Sequence, residues 1–195
     1  MECFKHIHRQ KNQRWGDKSR ALANPFYSWH VTCFTDDGQK TICFLNDATG
    51  LFITLPNVTR LSCYNLQTLF EKQLASQLAE MGIRQRRVDH YLQQGGQWQI
   101  NEAISHEQVI RLTRNVDAMK KMQGELSPEL AMQVIRQSVS YDADKTRNYF
   151  KKLPAWQEPK KHDNIIPIDP IQLYNIFRQI CYISKYREKT LASAG

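Results

Sequence analysis

Two short segments that alternate in polarity are joined by a turn sequence, and this hairpin signal constrains the fold more than any other feature. Residues 28–34 and 41–45 flank Asp36-Asp37-Gly38-Gln39, which places Asp-Gly at the centre of the turn. An Asp-Gly pair between alternating apolar segments is typical of a β-hairpin. A third segment, residues 51–55, follows a second turn at residues 47–50. The pattern predicts an antiparallel meander of three strands.

From Leu66 onward the apolar residues recur every three to four positions, which is typical of helices. The spacing predicts a first helix that Asn65 can cap and Gly82 can end, followed by a shorter helix over residues 84–93. Ser105 with Gln108 is a capping-box pattern, and the apolar stripe after it predicts a third helix up to Gly124.

Further elements are predicted between the second and third helices and after the third. Residues 98–102 are expected to add one strand, residues 127–137 a further helix, and Asp169-Pro170 to start a last one. The predicted fold class is α+β: a small antiparallel meander sheet packed by several helices, with a basic N-terminal arm and a helical C-terminal extension. The expected boundaries are a basic arm at 1–20, an α+β core domain at 21–124, and a helical extension at 125–195. A Pro-rich linker is expected at 153–170.

The positive charge is concentrated at the two ends of the chain. The formal net charge is +8, to which residues 1–20 and residues 141–195 contribute +4 each, while residues 21–140 are neutral. A neutral body with two basic ends favours a polyanionic partner, either a nucleic acid or a nucleoprotein complex.

The residues expected to bind nucleic acid come from three places. The arginines at 84–87 and the polar side of the third helix would make one basic ridge if those helices are adjacent, and the arm would add backbone contacts and one stacking ring. For each single residue, a solvated face with intrahelical ion pairs explains the charge equally well. The expected nucleic-acid-binding residues are Arg9, Lys11, Arg14, Trp15, Arg84, Arg86, Arg87, Arg111, Arg114 and Lys121.

The last helix is apolar around most of its circumference, so it must be covered. Docking in a groove of its own domain is the favoured explanation, and a protein partner at Tyr174, Phe177 and Ile180 is the other.

No catalytic residue is assigned, because phosphate-binding glycine loops and the nucleophile elbow are absent from the sequence. His106-Glu107 begins a zinc-binding H-E-x-x-H pattern that Ile110 breaks. A ribonuclease-like site built from His30, His90 and a nearby arginine is conceivable, although half-buried histidines are more often structural. No metal and no cofactor are expected, since a metal site at Cys3, His6 and His8 has only three local ligands.

Five cysteines without a C-x-x-C pair, together with the lack of a signal peptide, predict a reduced, cytoplasmic protein. No apolar stretch approaches the length of a membrane-spanning helix, so no membrane association is expected.

Several stretches of the chain together resemble a known but uncharacterised prokaryotic domain. They are Phe26-Tyr27-Ser28-Trp29-His30, the run from Lys40 to Thr49, Met81-Gly82-Ile83 and the run from Thr113 to Met119. The resemblance covers about residues 22–123 and is to a domain found in plasmid ORF-3-like proteins of mobile elements and as small stand-alone proteins. It implies an α+β module with no assigned activity, in a mobile-element, defence or counter-defence setting.

Three functions follow as hypotheses. The leading one is a non-enzymatic accessory protein of a bacterial mobile element, or of phage or plasmid defence or counter-defence, that binds nucleic acid or a nucleoprotein complex. The alternatives are a small nuclease or toxin, and a protein-only interaction module.

Overall fold

A computed structural model describes residues 24–36, 38–96, 98, 105–123 and 143–153. In these ranges a 3₁₀ turn, Pro25–Tyr27, leads into three strands: β1 (Trp29–Asp36), β2 (Gln39–Asn46) and β3 (Phe52–Leu55). A second 3₁₀ turn, Leu61–Asn65, precedes four helices: α1 (Leu66–Glu80), α2 (Gln85–Gly95), α3 (His106–Gln123) and α4 (Ala143–Lys151). The α+β class is confirmed.

The three strands form one antiparallel sheet in the order β1-β2-β3. Trp29 pairs with Asn46 at one end of the hairpin, and Asp36 pairs with Gln39 at the other. Gly38 has a φ of +77°, a left-handed conformation that glycine adopts without the steric cost of a Cβ. The predicted meander is therefore confirmed, and its first turn is tighter than the sequence pattern indicated.

Alternation along the strands gives the sheet two apolar faces, and both are covered by helices. The first, here called the α1 face, contributes Cys33, Ile42 and Phe44 to a core shared with α1, α2 and α4. The second, the α3 face, contributes Phe34, Cys43 and Leu45 to a smaller core with α3. Because successive strand residues point to opposite faces, His30 lies on the α3 face and Trp29 on the α1 face.

The first three predicted helices are confirmed within one or two residues of their expected ends. Helix α1 ends in a Schellman motif: Gly82 at φ +75° donates to the carbonyl of Ala79, and Ile83 donates to that of Leu78. At its start, Asn65 occupies the N-cap position as expected, but its side chain makes no capping hydrogen bond. The preceding 3₁₀ turn continues directly into the first turn of α1.

Helix α3 begins as predicted, with the amide of Gln108 donating to the hydroxyl of Ser105 at 3.3 Å. The side chain of Gln108 instead donates to the main-chain carbonyl of Asp47 at 3.2 Å. The capping box is thus only half formed, because Gln108 fastens α3 to the turn between β2 and β3.

Helix α4 was not expected from the sequence. It buries Thr146 and Phe150 against the α1-face core. The expected helix at 127–137, the last helix from Asp169, and the arm lie outside the described residues, and Trp98, the one described residue of the expected strand at 98–102, is not in a strand.

Within the described ranges, none of the helices is both long enough and apolar enough to cross a membrane. Cys43 and Cys63 are buried free thiols. Cys33 is disulfide-bonded, which is against the expectation that all five cysteines are reduced.

Candidate nucleic-acid interface

Two hydrogen bonds between side chains and the main chain hold α2 and α4 together. Arg87, in the first turn of α2, donates from Nη1 to the carbonyl of Phe150 at 2.9 Å. Arg147, in α4, donates from Nε to the carbonyl of Met81 at 3.0 Å, just before α2 begins. The last carbonyls of a helix lack intrahelical partners, so Arg87 fills a vacant acceptor at the end of α4. The start of α2 therefore lies beside the end of α4.

An aromatic cluster beneath this junction fixes its geometry. The ring of Phe150 lies 5.1 Å from that of Tyr91 and 5.2 Å from that of Phe26, between centroids. The Tyr91 hydroxyl donates to the carbonyl of Phe26 at 2.8 Å and accepts from Nε1 of Trp29 at 3.0 Å. Burial raises the pKa of Tyr91 above its ordinary value, so this hydroxyl stays protonated and keeps its donor role.

The junction gathers positive charge from two distant parts of the chain. Among the described residues, its surface carries seven cations and three carboxylates, Glu80, Asp89 and Asp144. Asp144 pairs with Nη1 of Arg147 at 2.9 Å, and Asp89 accepts a hydrogen bond from Gln85 at 2.8 Å. We call these cations the α2–α4 basic surface: Arg84, Arg86, Arg87, Lys145, Arg147, Lys151 and Lys152.

The exposed members of this surface are available to a large ligand. Five of the seven cations are exposed, whereas Arg87 and Arg147 are half-buried by the hydrogen bonds described above; the exposed ones are Arg84, Arg86, Lys145, Lys151 and Lys152. The two half-buried arginines hold the helices in place and add to the local potential, and the exposed side chains can reach an anion.

The expected ridge between α2 and α3 does not form, since α2 packs on the α1 face of the sheet and α3 on the opposite face. Arg111 lies with its guanidinium against Gly50, in the turn before β3. Arg114 and Lys121 are exposed on α3. The structure thus separates the two groups of expected nucleic-acid-binding residues, and it brings α4 beside the first group instead.

Four cations of α4 and its end were missed by sequence reasoning: Lys145, Arg147, Lys151 and Lys152. The net charge of residues 141–195 indicated that cations are frequent in this part of the chain. It did not indicate which helix they would lie beside. The residues Arg9, Lys11, Arg14 and Trp15, expected to bind nucleic acid, and the expected partner-binding residues Tyr174, Phe177 and Ile180 lie outside the described residues.

His30 forms a buried pair with Asp47 on the other side of the sheet. Its Nδ1 lies 2.5 Å from Oδ1 of Asp47, and its Nε2 is buried without a hydrogen-bond partner. Asn46 holds the turn that carries Asp47: its amide donates to the carbonyl of Phe26 at 2.9 Å, and its Oδ1 accepts from the amide and hydroxyl of Thr49, each at 3.0 Å. The pair links the start of β1 to the β2–β3 turn.

The histidines considered for catalysis do not come together. His30 lies on the α3 face, whereas His90 belongs to α2, which packs on the α1 face. Among the described residues, no group of three His, Cys, Asp or Glu side chains could hold a metal ion.

Comparison with models of protein families gives a match over most of the chain. The model of a family described as a domain of unknown function (DUF6933) matches residues 4–169, a longer span than the resemblance over residues 22–123. No curated protein matches the chain, and no solved structure does. The expectation of an uncharacterised domain is confirmed. Since the match covers most of its length, this chain belongs to the DUF6933 family.

Proposed function

We propose that this domain binds nucleic acid through the α2–α4 basic surface. The observation that carries the proposal is the junction itself. The hydrogen bonds of Arg87 and Arg147 hold two cation-bearing helix ends side by side. In sequence, Arg87 is 63 positions from Phe150, and Arg147 is 66 positions from Met81.

The charge balance supports a polyanion as the ligand. Seven cations outnumber three carboxylates among the described residues of this surface. Lysine and arginine that neutralise phosphates release condensed counterions, which drives association and makes it strongly dependent on salt. The fixed spacing of the two helix ends favours contact with the backbone over readout of base sequence.

The geometry around His30 favours binding over cleavage. Nδ1 is engaged by Asp47 and Nε2 is buried, so neither ring nitrogen is within reach of a scissile phosphodiester. The separation of His30 from His90 removes the second imidazole that a ribonuclease-like mechanism would use.

The wider role that we propose is that of an accessory protein of a bacterial mobile element, or of phage or plasmid defence or counter-defence. The resemblance to domains of plasmid ORF-3-like proteins supports this setting, and the cytoplasm is the compartment in which such a protein would meet nucleic acid.

The test compares two charge-matched double variants of the full chain. Arg84→Glu/Lys152→Glu reverses two cations of the α2–α4 basic surface, and Arg114→Glu/Lys121→Glu reverses two on the other side of the sheet. Binding to fluorescein-labelled DNA and RNA is measured by anisotropy across a salt series, and circular dichroism and thermal unfolding confirm that each variant is folded.

We expect the first variant to bind much more weakly. The slope of log affinity against log salt should become shallower by about one for each phosphate that the variant no longer neutralises. The second variant should be weakened less. The proposal is overturned by an absence of salt-dependent binding in the unsubstituted protein, or by an equal or greater weakening in the second variant.

A further inference from the structure

One exposed aromatic ring lies within the α2–α4 basic surface. Tyr149 of α4 is 39% exposed. Its ring lies against that of Phe26, with 5.1 Å between centroids and 26° between planes, which is a stacked arrangement. Phe26 covers one face of the Tyr149 ring, so the exposed area of this residue lies outside that contact.

The ring below Tyr149 is itself held in place. Phe26 makes edge contacts with Tyr91 at 4.9 Å and with Phe150 at 5.2 Å. Its main-chain carbonyl accepts hydrogen bonds from the Tyr91 hydroxyl at 2.8 Å and from the Asn46 amide at 2.9 Å. Tyr149 therefore rests on a fixed support, which lowers the entropy that it would lose on binding a ligand.

Cations flank this ring along the helix. Lys145 precedes Tyr149 by four positions within α4, which places these two side chains on the same side of the helix, and Lys152 directly follows the end of the helix. A phosphate chain that follows these lysines would pass over the exposed area of Tyr149.

We propose that Tyr149 is a base-stacking platform and that the α2–α4 basic surface takes single-stranded nucleic acid. This inference rests on the proposed function. In a duplex the base faces are covered by stacking, so a surface aromatic ring offers little to duplex DNA. In a single strand an unstacked base can lie on the ring, and its phosphates meet the lysines on either side.

The experiment measures binding of the full chain to two probes of equal length at matched salt. One probe is a fluorescein-labelled oligo-dT strand and the other is the same strand paired with oligo-dA. The variants are Tyr149→Leu, which keeps an apolar contact with Phe26, and Tyr149→Phe, which keeps the ring. Tyr64→Leu is the matched control, since Tyr64 is 53% exposed on the 3₁₀ turn before α1.

The expected result is a preference for the single strand in the unsubstituted protein. Tyr149→Leu should bind the single strand at least about fivefold more weakly, the lower end of what stacking one base contributes, with duplex affinity unchanged. Tyr149→Phe and Tyr64→Leu should bind as the unsubstituted protein does.

The outcomes separate this inference from the proposal on which it rests. Salt-dependent binding that Tyr149→Leu leaves unchanged, or lowers equally for both probes, overturns the stacking role and leaves nucleic-acid binding in place. A duplex preference in the unsubstituted protein also overturns it. A lack of binding to either probe overturns the proposed function and this inference together.

Discussion

The guanidinium of Arg87 donates a hydrogen bond to the main-chain carbonyl of Phe150 at 2.9 Å, across 63 positions of sequence. Arg87, which is expected to contact phosphate, thus also holds α2 against α4. Its neighbour Arg86 is exposed and has the same charge, so the two arginines offer a direct comparison between a structural and a surface role.

We expect Arg87→Ala to lower the free energy of unfolding by about 1–3 kcal/mol, because the carbonyl of Phe150 loses a charged donor in a partly buried site. Arg86→Ala should change it by less than about 0.5 kcal/mol, as is usual for exposed positions. Urea denaturation of both variants measures the difference. Equal destabilisation would mean that the hydrogen bond contributes nothing to the α2–α4 junction.

Two glycines with nearly the same backbone conformation differ in their surroundings. Gly38 has φ +77° with open space around it, and Gly50 has φ +76° with the guanidinium of Arg111 against it. Each substitution to alanine should cost about 1–2 kcal/mol, because an L-residue is strained in the left-handed region. Gly50→Ala should cost more, since its methyl group would displace Arg111, whose Cζ lies 2.8 Å from the position of that methyl.

The contribution of Arg111 can be isolated by repeating both substitutions in an Arg111→Ala background. The additional cost of Gly50→Ala over Gly38→Ala should then become smaller, as measured by thermal unfolding. If it stays the same, the cost at Gly50 comes from something other than the Arg111 side chain.

Much of the fold could be predicted because its signals are local. The Asp-Gly turn and the alternation around it indicate the hairpin directly, and the strands run further than expected because backbone pairing continues through the polar residues near the turn. Helix α4 could not be predicted in this way, since it buries only Thr146 and Phe150 and depends on tertiary contacts.

The candidate interface was predictable only in part. The sequence identifies the arginines at 84–87, but its pattern suggests α3 as their neighbour. The apolar stripe of a helix shows that one side is buried without showing which face of a sheet it covers. The placement of α2 beside α4 depends on interactions such as that of Arg147 with Met81, which join residues 66 positions apart.

Alkaline pH should destabilise the protein through a buried thiol. Burial holds the pKa of Cys43 well above its ordinary value of 9.0, and the charge of Lys120 opposes this only in part. The folded state therefore keeps its proton while the unfolded state releases it, so stability is complete below about pH 9 and decreases as pH rises further.

The free energy of unfolding, measured by urea denaturation between about pH 8 and about pH 10, should fall with a limiting slope of about 1.4 kcal/mol per pH unit for this group. Cys43→Ala should reduce that slope, although the variant is less stable throughout. The Cys63 thiol, whose pKa burial also raises, is the comparison. An unchanged slope in Cys43→Ala would assign the alkaline destabilisation to other groups.

Each side chain of the His30–Asp47 pair should stabilise the fold only when the other is present. The two side chains are 7% and 19% exposed, and Nε2 of the histidine has no hydrogen-bond partner. Removing either side chain leaves the other without its hydrogen-bond partner in a partly buried site. A double-mutant cycle of the two single substitutions to alanine and the double substitution should therefore show a coupling free energy of about 1–3 kcal/mol.

The exposed pair Gln85 and Asp89, joined at 2.8 Å within α2, provides the control, with an expected coupling below about 0.5 kcal/mol. His30→Ala should keep its affinity for nucleic acid wherever it is folded, because His30 lies on the side of the sheet away from the α2–α4 basic surface. A small coupling free energy between His30 and Asp47, together with a nuclease activity that His30→Ala abolishes, would show that His30 has a catalytic role and not a structural one. Since both nitrogens of His30 are enclosed, we expect the large coupling and no such activity.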